Sequence, residues 1–110
     1  MGAFPHDPTT LNLHTHGLTV SSKGLGDNVL REMPPGSISP VLITIPDDHP
    51  SGTFSYHPHK HGAVTYQMFG GMAGFLIVEG GPRTLDAVPE VKAARDVVMG
   101  FQVSRTGPRR

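Results

Sequence analysis

Five of the seven histidines fall in two tight groups, His14 with His16 and His57 with His59 and His61. On an extended chain, side chains two apart project from the same face, with Cα atoms roughly 6.6 Å apart. Two imidazoles at that spacing can converge on one metal ion or serve two neighbouring ones. Imidazole suits zinc, copper, iron and nickel, and among divalent first-row ions copper binds such sites most tightly. A lone His-x-His on a strand is more often a polar face than a ligand pair. Here there are two groups, both followed by glycine (Gly17 and Gly62) and both at the ends of expected strands, which favours ligands. His6 and His49 have no companions and read as surface loop residues.

Other chemistries find less support. The chain of 110 residues has no Cys, which excludes disulfides, a thiol nucleophile, iron–sulfur ligation and any thiolate metal site. Ser51 and Ser55 lie near histidines, but no Ser sits on a Gly-x-Ser-x-Gly elbow. The glycines at 70, 71 and 74 lead into a strand, so they cradle no phosphate. A cupin-type site would want a Glu shortly after its His-x-His, and neither group has one. Two readings stand beside redox copper: a mononuclear copper or zinc binding module, and a His-ligated zinc hydrolase, since three imidazoles and a water suffice for it. Nine basic and nine acidic residues cancel, which argues against nucleic acid or an anionic membrane as partner. No apolar run approaches the roughly 18 residues of a membrane span. Residues 1–8 have neither a basic start nor an apolar stretch, so they read as no secretory signal.

Fourteen Gly and eleven Pro imply many turns and a thin core, hence a β-rich domain. Residues 1–9 read as an irregular lead-in. Residues 10–16 alternate, with Leu11 and Leu13 on one parity and Asn12, His14 and His16 on the other, the pattern of a strand. Residues 18–20 could continue it past a bend, and residues 21–26 (SSKGLG) read as a turn. Residues 37–45 read as a strand with Val41, Ile43 and Ile45 on one face. Residues 46–52 are a loop and residues 53–57 a short strand carrying His57. Residues 63–69 suit one or two helical turns closed by Gly70-Gly71. Residues 73–79 (AGFLIVE), the most apolar run, read as a central strand. Residues 86–95 have helical spacing with Pro89 confined to a first turn, and residues 96–103 read as a final strand.

Residues 12–17 (NLHTHG), 54–62 (FSYHPHKHG) and 67–79 (QMFGGMAGFLIVE) together resemble the first, plastocyanin-like cupredoxin domain of multicopper oxidases of the laccase kind. The resemblance implies an all-β, Greek-key β-sandwich of cupredoxin type, incomplete at its N-terminus, with one or two short helices. It places a partial domain over residues 10–103 and a disordered tail over 104–110. It implies copper as cofactor, with His14 a ligand of a type 2 copper, and His16, His57 and His59 ligands of a type 3 pair. His61 and Gln67 would lie in the shell behind them, Gln67 holding the ligand loop by hydrogen bonding and His61 as a channel wall. Such a trinuclear site reduces dioxygen in the intact family, whose members are commonly periplasmic or secreted. The family cluster takes eight histidines, four of them from a C-terminal domain that also carries the type 1 copper Cys. This chain therefore reads as a fragment that is not an active oxidase alone, and no residue here is assigned a catalytic role. Its expected partner is a second cupredoxin domain, or a homo-oligomer, that completes the copper site. One departure stands out: Ser55 takes the place of an aromatic residue, typically Trp, which removes bulk beside the ligand strand.

Overall fold

In the computed structural model, residues 7–81 and 84–104 are described. They form one antiparallel sheet of three short strands, β1 (His14–His16), β2 (Gly52–His57) and β3 (Gly74–Val78), in the order β1-β2-β3. Helix α1 (Val64–Phe69) lies between β2 and β3. A 3-10 turn (Leu85–Ala87) and helix α2 (Pro89–Lys92) follow β3. Pro89 opens α2, where its missing N–H costs nothing and its fixed φ suits a helix start. This is the mostly-sheet fold with two short helices that the residues predict, one layer of an incomplete β-sandwich. Among the described residues, no helix is long and apolar enough to cross a membrane.

Four expected elements come out differently. Residues 10–16 are not one strand, because the chain changes partners within them. Leu11 exchanges backbone hydrogen bonds with Met33 (3.1 and 2.8 Å), while His14 to His16 pair with β2. The switch breaks the parity, so Asn12 and Thr15 are buried and Leu11 and Leu13 are only half-buried. Residues 37–45 keep period two, with Val41 and Ile43 half-buried between exposed neighbours, yet form no strand. They lie beside no strand that could complete a ladder; Leu42 donates to the Leu25 carbonyl (2.8 Å), and Arg31 reaches Pro40 and Ser39. The apolar run at 73–79 is a strand, but β3 stands at the edge and the histidine-bearing β2 at the centre. Residues 96–103 also form no strand. They cross the sheet face rather than joining its plane: Gly100 rests on the Phe75 ring, and the Gln102 side chain donates to the Met68 carbonyl beside α1.

What the fold buries is mostly polar. Among the described residues, Ala63, just before α1, is fully buried, Pro58 is buried, and the buried polar side chains are Thr10, Asn12, Thr15, His49 and Gln67. Buried polar groups must find hydrogen bonds or cost about 1–3 kcal/mol each. Asn12 finds one of its partners on the His59 N–H and Gln67 finds its own on the carbonyls of Pro8 and Thr10, ahead of His14, while Thr15 Oγ1 and Gln67 Oε1 have none among the described residues. The expected tail at 105–110 and the lone His6 lie outside the described residues.

Candidate metal centre

Antiparallel pairing sets His14 opposite His57 and His16 opposite Ser55. Residues directly opposite share a face, so His14, His16, Ser55 and His57 all project from one side of the sheet. The His57 ring lies 5.3 Å from that of His14 and 5.5 Å from that of His16, and the His14 and His16 rings are 5.6 Å apart. One nitrogen from each of these three histidines falls within 4.8 Å of the other two. The loop after β2 adds His59, whose ring lies 5.2 Å from His14 and 6.2 Å from His57, beside the triad. His61 is exposed in the turn leading to α1. Four histidines of the two sequence groups, whose nearest members are 41 residues apart along the chain, thus form one cluster in space.

The outer nitrogens of two rings are tied. His57 Nδ1 lies 2.9 Å from the Pro58 carbonyl, which only accepts, so Nδ1 carries the proton and Nε2 keeps its lone pair. His14 Nδ1 faces both oxygens of Asp27 at 3.1 and 3.0 Å, which likewise frees its Nε2. Asp27 Oδ1 also accepts the Thr15 N–H at 2.9 Å, locking the carboxylate between the two histidines of the first group. Carboxylate and carbonyl partners of this kind set the tautomer and orientation of metal-ligating imidazoles. His16 Nδ1 then points at His57 Nε2 across 3.3 Å. Gly17 turns the chain away behind His16 at φ 91°, and a Cβ there would come within 3.0 Å of the Phe54 ring.

Three further side chains hold the scaffold. Asn12, 1 % exposed, donates to the Val29 carbonyl and accepts the His59 N–H at 2.6 Å, so it couples the two histidine segments directly. Lys60 pairs with Glu32, anchoring the same loop from outside. Gln67 reaches from α1 to the Pro8 and Thr10 carbonyls at 3.0 and 2.8 Å. Its hydrogen bonds therefore secure the lead-in to His14 and His16, and not the His57–His59 loop. Asp27 and Asn12 were legible only as parts of a loop and a motif. The available signal was that ligand histidines require acceptors for their second nitrogens.

His49 needs a correction. It is 4 % exposed, not a surface loop residue. Its Nδ1 meets the Pro50 carbonyl at 2.8 Å, its Nε2 accepts the Thr19 N–H at 3.0 Å, and its ring stands edge-on to Phe54 at 5.2 Å. A neutral imidazole satisfies one donor and one acceptor at once, which suits it to pinning residues 18–20 against the 46–51 loop.

Two imidazole nitrogens bound at about 2.0–2.1 Å in a tetrahedral site lie about 3.3 Å apart, the separation of His16 Nδ1 and His57 Nε2. The donor set therefore fits a metal that takes neutral imidazoles. A family model described as multicopper oxidase matches residues 6–83. The chain belongs to the multicopper oxidase family. No solved structure matches it. Membership of the multicopper oxidase family implies copper, and the histidine cluster is where the described residues gather imidazole donors.

Proposed function

We propose that this chain is a copper-binding module whose His14, His16, His57 and His59 form half of a type 2/type 3 trinuclear copper site. The observation that carries the reading is the 3.3 Å approach of His16 Nδ1 to His57 Nε2, with the far nitrogen of His57 already tied to a carbonyl. At that separation these two nitrogens suit a shared ion. His14, about equally far from His16 and His57 and oriented by Asp27, suits a second position, and His59 a third. Copper bound there would supply one-electron redox chemistry toward dioxygen, as the family does in the reduction of dioxygen coupled to substrate oxidation.

The protein's own part is to present neutral rings and to manage protons. Without metal, the His16–His57 contact is held by one proton, donated from His16 Nδ1 to the His57 Nε2 lone pair. A metal held by His16 Nδ1 would require that proton to shift to His16 Nε2, leaving the ring neutral, while Asp27 and the Pro58 carbonyl keep the other two N–H groups in place. Turnover by this chain alone is not part of the proposal, because it contains no Cys for an electron-entry copper. A mononuclear copper or zinc module is the second reading, favoured by the fact that three donors lie within 4.8 Å of one another and His59 does not join them.

Electron paramagnetic resonance of the copper-loaded protein separates the two readings. A type 2 signal accounting for a minority of bound copper, with the rest silent as a coupled pair, supports the trinuclear site. A single type 2 signal equal to all bound copper supports the mononuclear module. His14→Ala, His16→Ala and His57→Ala should each lower copper retention; retention unchanged in all three would overturn the assignment.

A further inference from the structure

His14 and His57 pair with each other in the β1–β2 ladder, and each ring is tied through Nδ1, to Asp27 in one case and to the Pro58 carbonyl in the other. His16 is placed differently. It is the last residue of a three-residue strand, it is exposed, and its Nδ1 faces His57 Nε2 instead of a carboxylate or a carbonyl. Ends of short strands fray, because little packing resists their opening. The chain then leaves the ladder at Gly17, with φ 91°. What meets it there is Phe54. One step beyond the pair of His16 with Ser55, the register brings Gly17 opposite Phe54. A Cβ on Gly17 would stand 3.0 Å from Phe54 Cδ1, and a Cβ on Gly52 would stand 3.6 Å from Cε2 and Cζ, so the ring rests on bare backbone at both ends. The His49 ring stands edge-on to it at 5.2 Å and is itself fixed by the Thr19 N–H and the Pro50 carbonyl.

We infer that Phe54 is a positioning residue for the metal centre: its ring, wedged between Gly17, Gly52 and His49, holds the end of β1 so that His16 Nδ1 stays opposite His57 Nε2. Alternate residues of a strand face opposite sides, so Phe54 works from the face of β2 away from His57. One strand then fixes both nitrogens of the pair, His57 through its own backbone and His16 through the Phe54 ring. Glycine at position 17 belongs to the same device, because only a residue without Cβ lets a flat ring approach the backbone so closely. An aromatic residue set across from a glycine is a known way to shore up a weak point in a sheet. The consequence for metal binding rests on the copper reading; the wedge itself is a property of the metal-free protein.

Nuclear magnetic resonance of the histidine rings in the metal-free full chain tests it, with the His16 signal assigned by its loss in His16→Gln. Phe54→Leu should shift or broaden the His16 signal and leave that of His14, tied to Asp27, in place. Leu76→Ala is the control. Leu76 lies opposite Phe54 on β3 and is half-buried on the same face, but it does not reach the space beside Gly17. It should lower the urea midpoint at least as much as Phe54→Leu does, without moving the His16 signal. A His16 signal unmoved in Phe54→Leu, or moved equally in both variants, overturns the inference. Should Phe54→Leu lose the circular dichroism of the wild type, Phe54→Met, whose unbranched chain fills irregular gaps, carries the same test. Loss of the fold in both would make Phe54 a residue of the fold at large and also overturns the inference. With copper, Phe54→Leu should weaken binding about tenfold by competition with a chelator, and Leu76→Ala should not. A wild type that takes up no copper while its ring signals respond as expected upholds the wedge and overturns the copper reading. Copper held equally in both variants, with the His16 signal unmoved, overturns the wedge and leaves the copper reading standing.

Discussion

Asn12 is the most informative single residue to change, because it touches no proposed ligand atom and yet joins both ligand segments. Its Oδ1 accepts the His59 N–H and its Nδ2 donates to the Val29 carbonyl. Asn12→Ala removes both bonds and leaves one donor and one acceptor without their partner. Each such orphan costs about 1–3 kcal/mol when water is excluded. Here Val29 is half-buried and His59 is exposed, so water reaches part of what the truncation uncovers. The lower end of that range applies to each, and the sum is about 2 kcal/mol. That is a large fraction of the stability of any small domain, which is about 5–15 kcal/mol. Urea denaturation of the metal-free protein at fixed concentration should show this loss as a lower midpoint with an unchanged slope. Asn12→Asp is the companion: it keeps an acceptor for His59 but sets a carboxylate against the Val29 carbonyl. It should also destabilise, while retaining copper better than the alanine variant because the His59 loop stays attached. A cost for Asn12→Ala within about 0.5 kcal/mol, the range of ordinary surface changes, would refute the claim that this buried amide organises the centre.

Other outcomes follow from the same contacts. Asp27→Asn should weaken copper binding by about 10–100-fold, measured by competition with a chromogenic chelator, because the His14 ring loses its charged partner. His49→Ala should lower the thermal midpoint without lowering copper stoichiometry, since His49 pins Thr19 and lies outside the cluster. Gly74→Ala should cost about 1–2 kcal/mol in denaturant, as its Cβ would fall 2.4 Å from Tyr56 Oη and that half-exposed ring must swing aside. The Asp7 carboxyl is held below its ordinary value of 3.8 chiefly by the Thr9 hydroxyl, then by the Thr9 N–H and the Thr10 hydroxyl. A lowered value means the stabilisation is present above 3.8 and lost as pH falls through the lowered one. Asp7→Ala should therefore be less stable than the wild type at neutral pH, with the difference fading in acid as melting curves are followed downward.

The sequence by itself determined the types and the local spacing. Period two around His14 and His16, the Gly70 stop after α1, Pro89 at the start of α2 and the absence of Cys are all properties of short windows, where sterics and hydrogen-bonding capacity act between near neighbours. The convergence of His14, His16 and His57 was legible as a chemical expectation, because two His-x-His groups in one small domain have few other uses. Tertiary structure alone decided which strand paired with which. Residues 37–45 and 96–103 have the residues of strands, but a strand is a partnership, and the described residues put nothing beside them to complete a ladder. The same holds for burial. Leu11 and Leu13 look like core and Asn12 and His49 like surface, yet pairing changes hands between Leu11 and His14 and turns the amide inward. Asp27 could be seen as an acidic residue in a turn; only the closure of the 17–51 segment brings its carboxylate to His14. Spacing along the chain selects the donors, while long-range pairing decides which nitrogen each one has left to offer a metal.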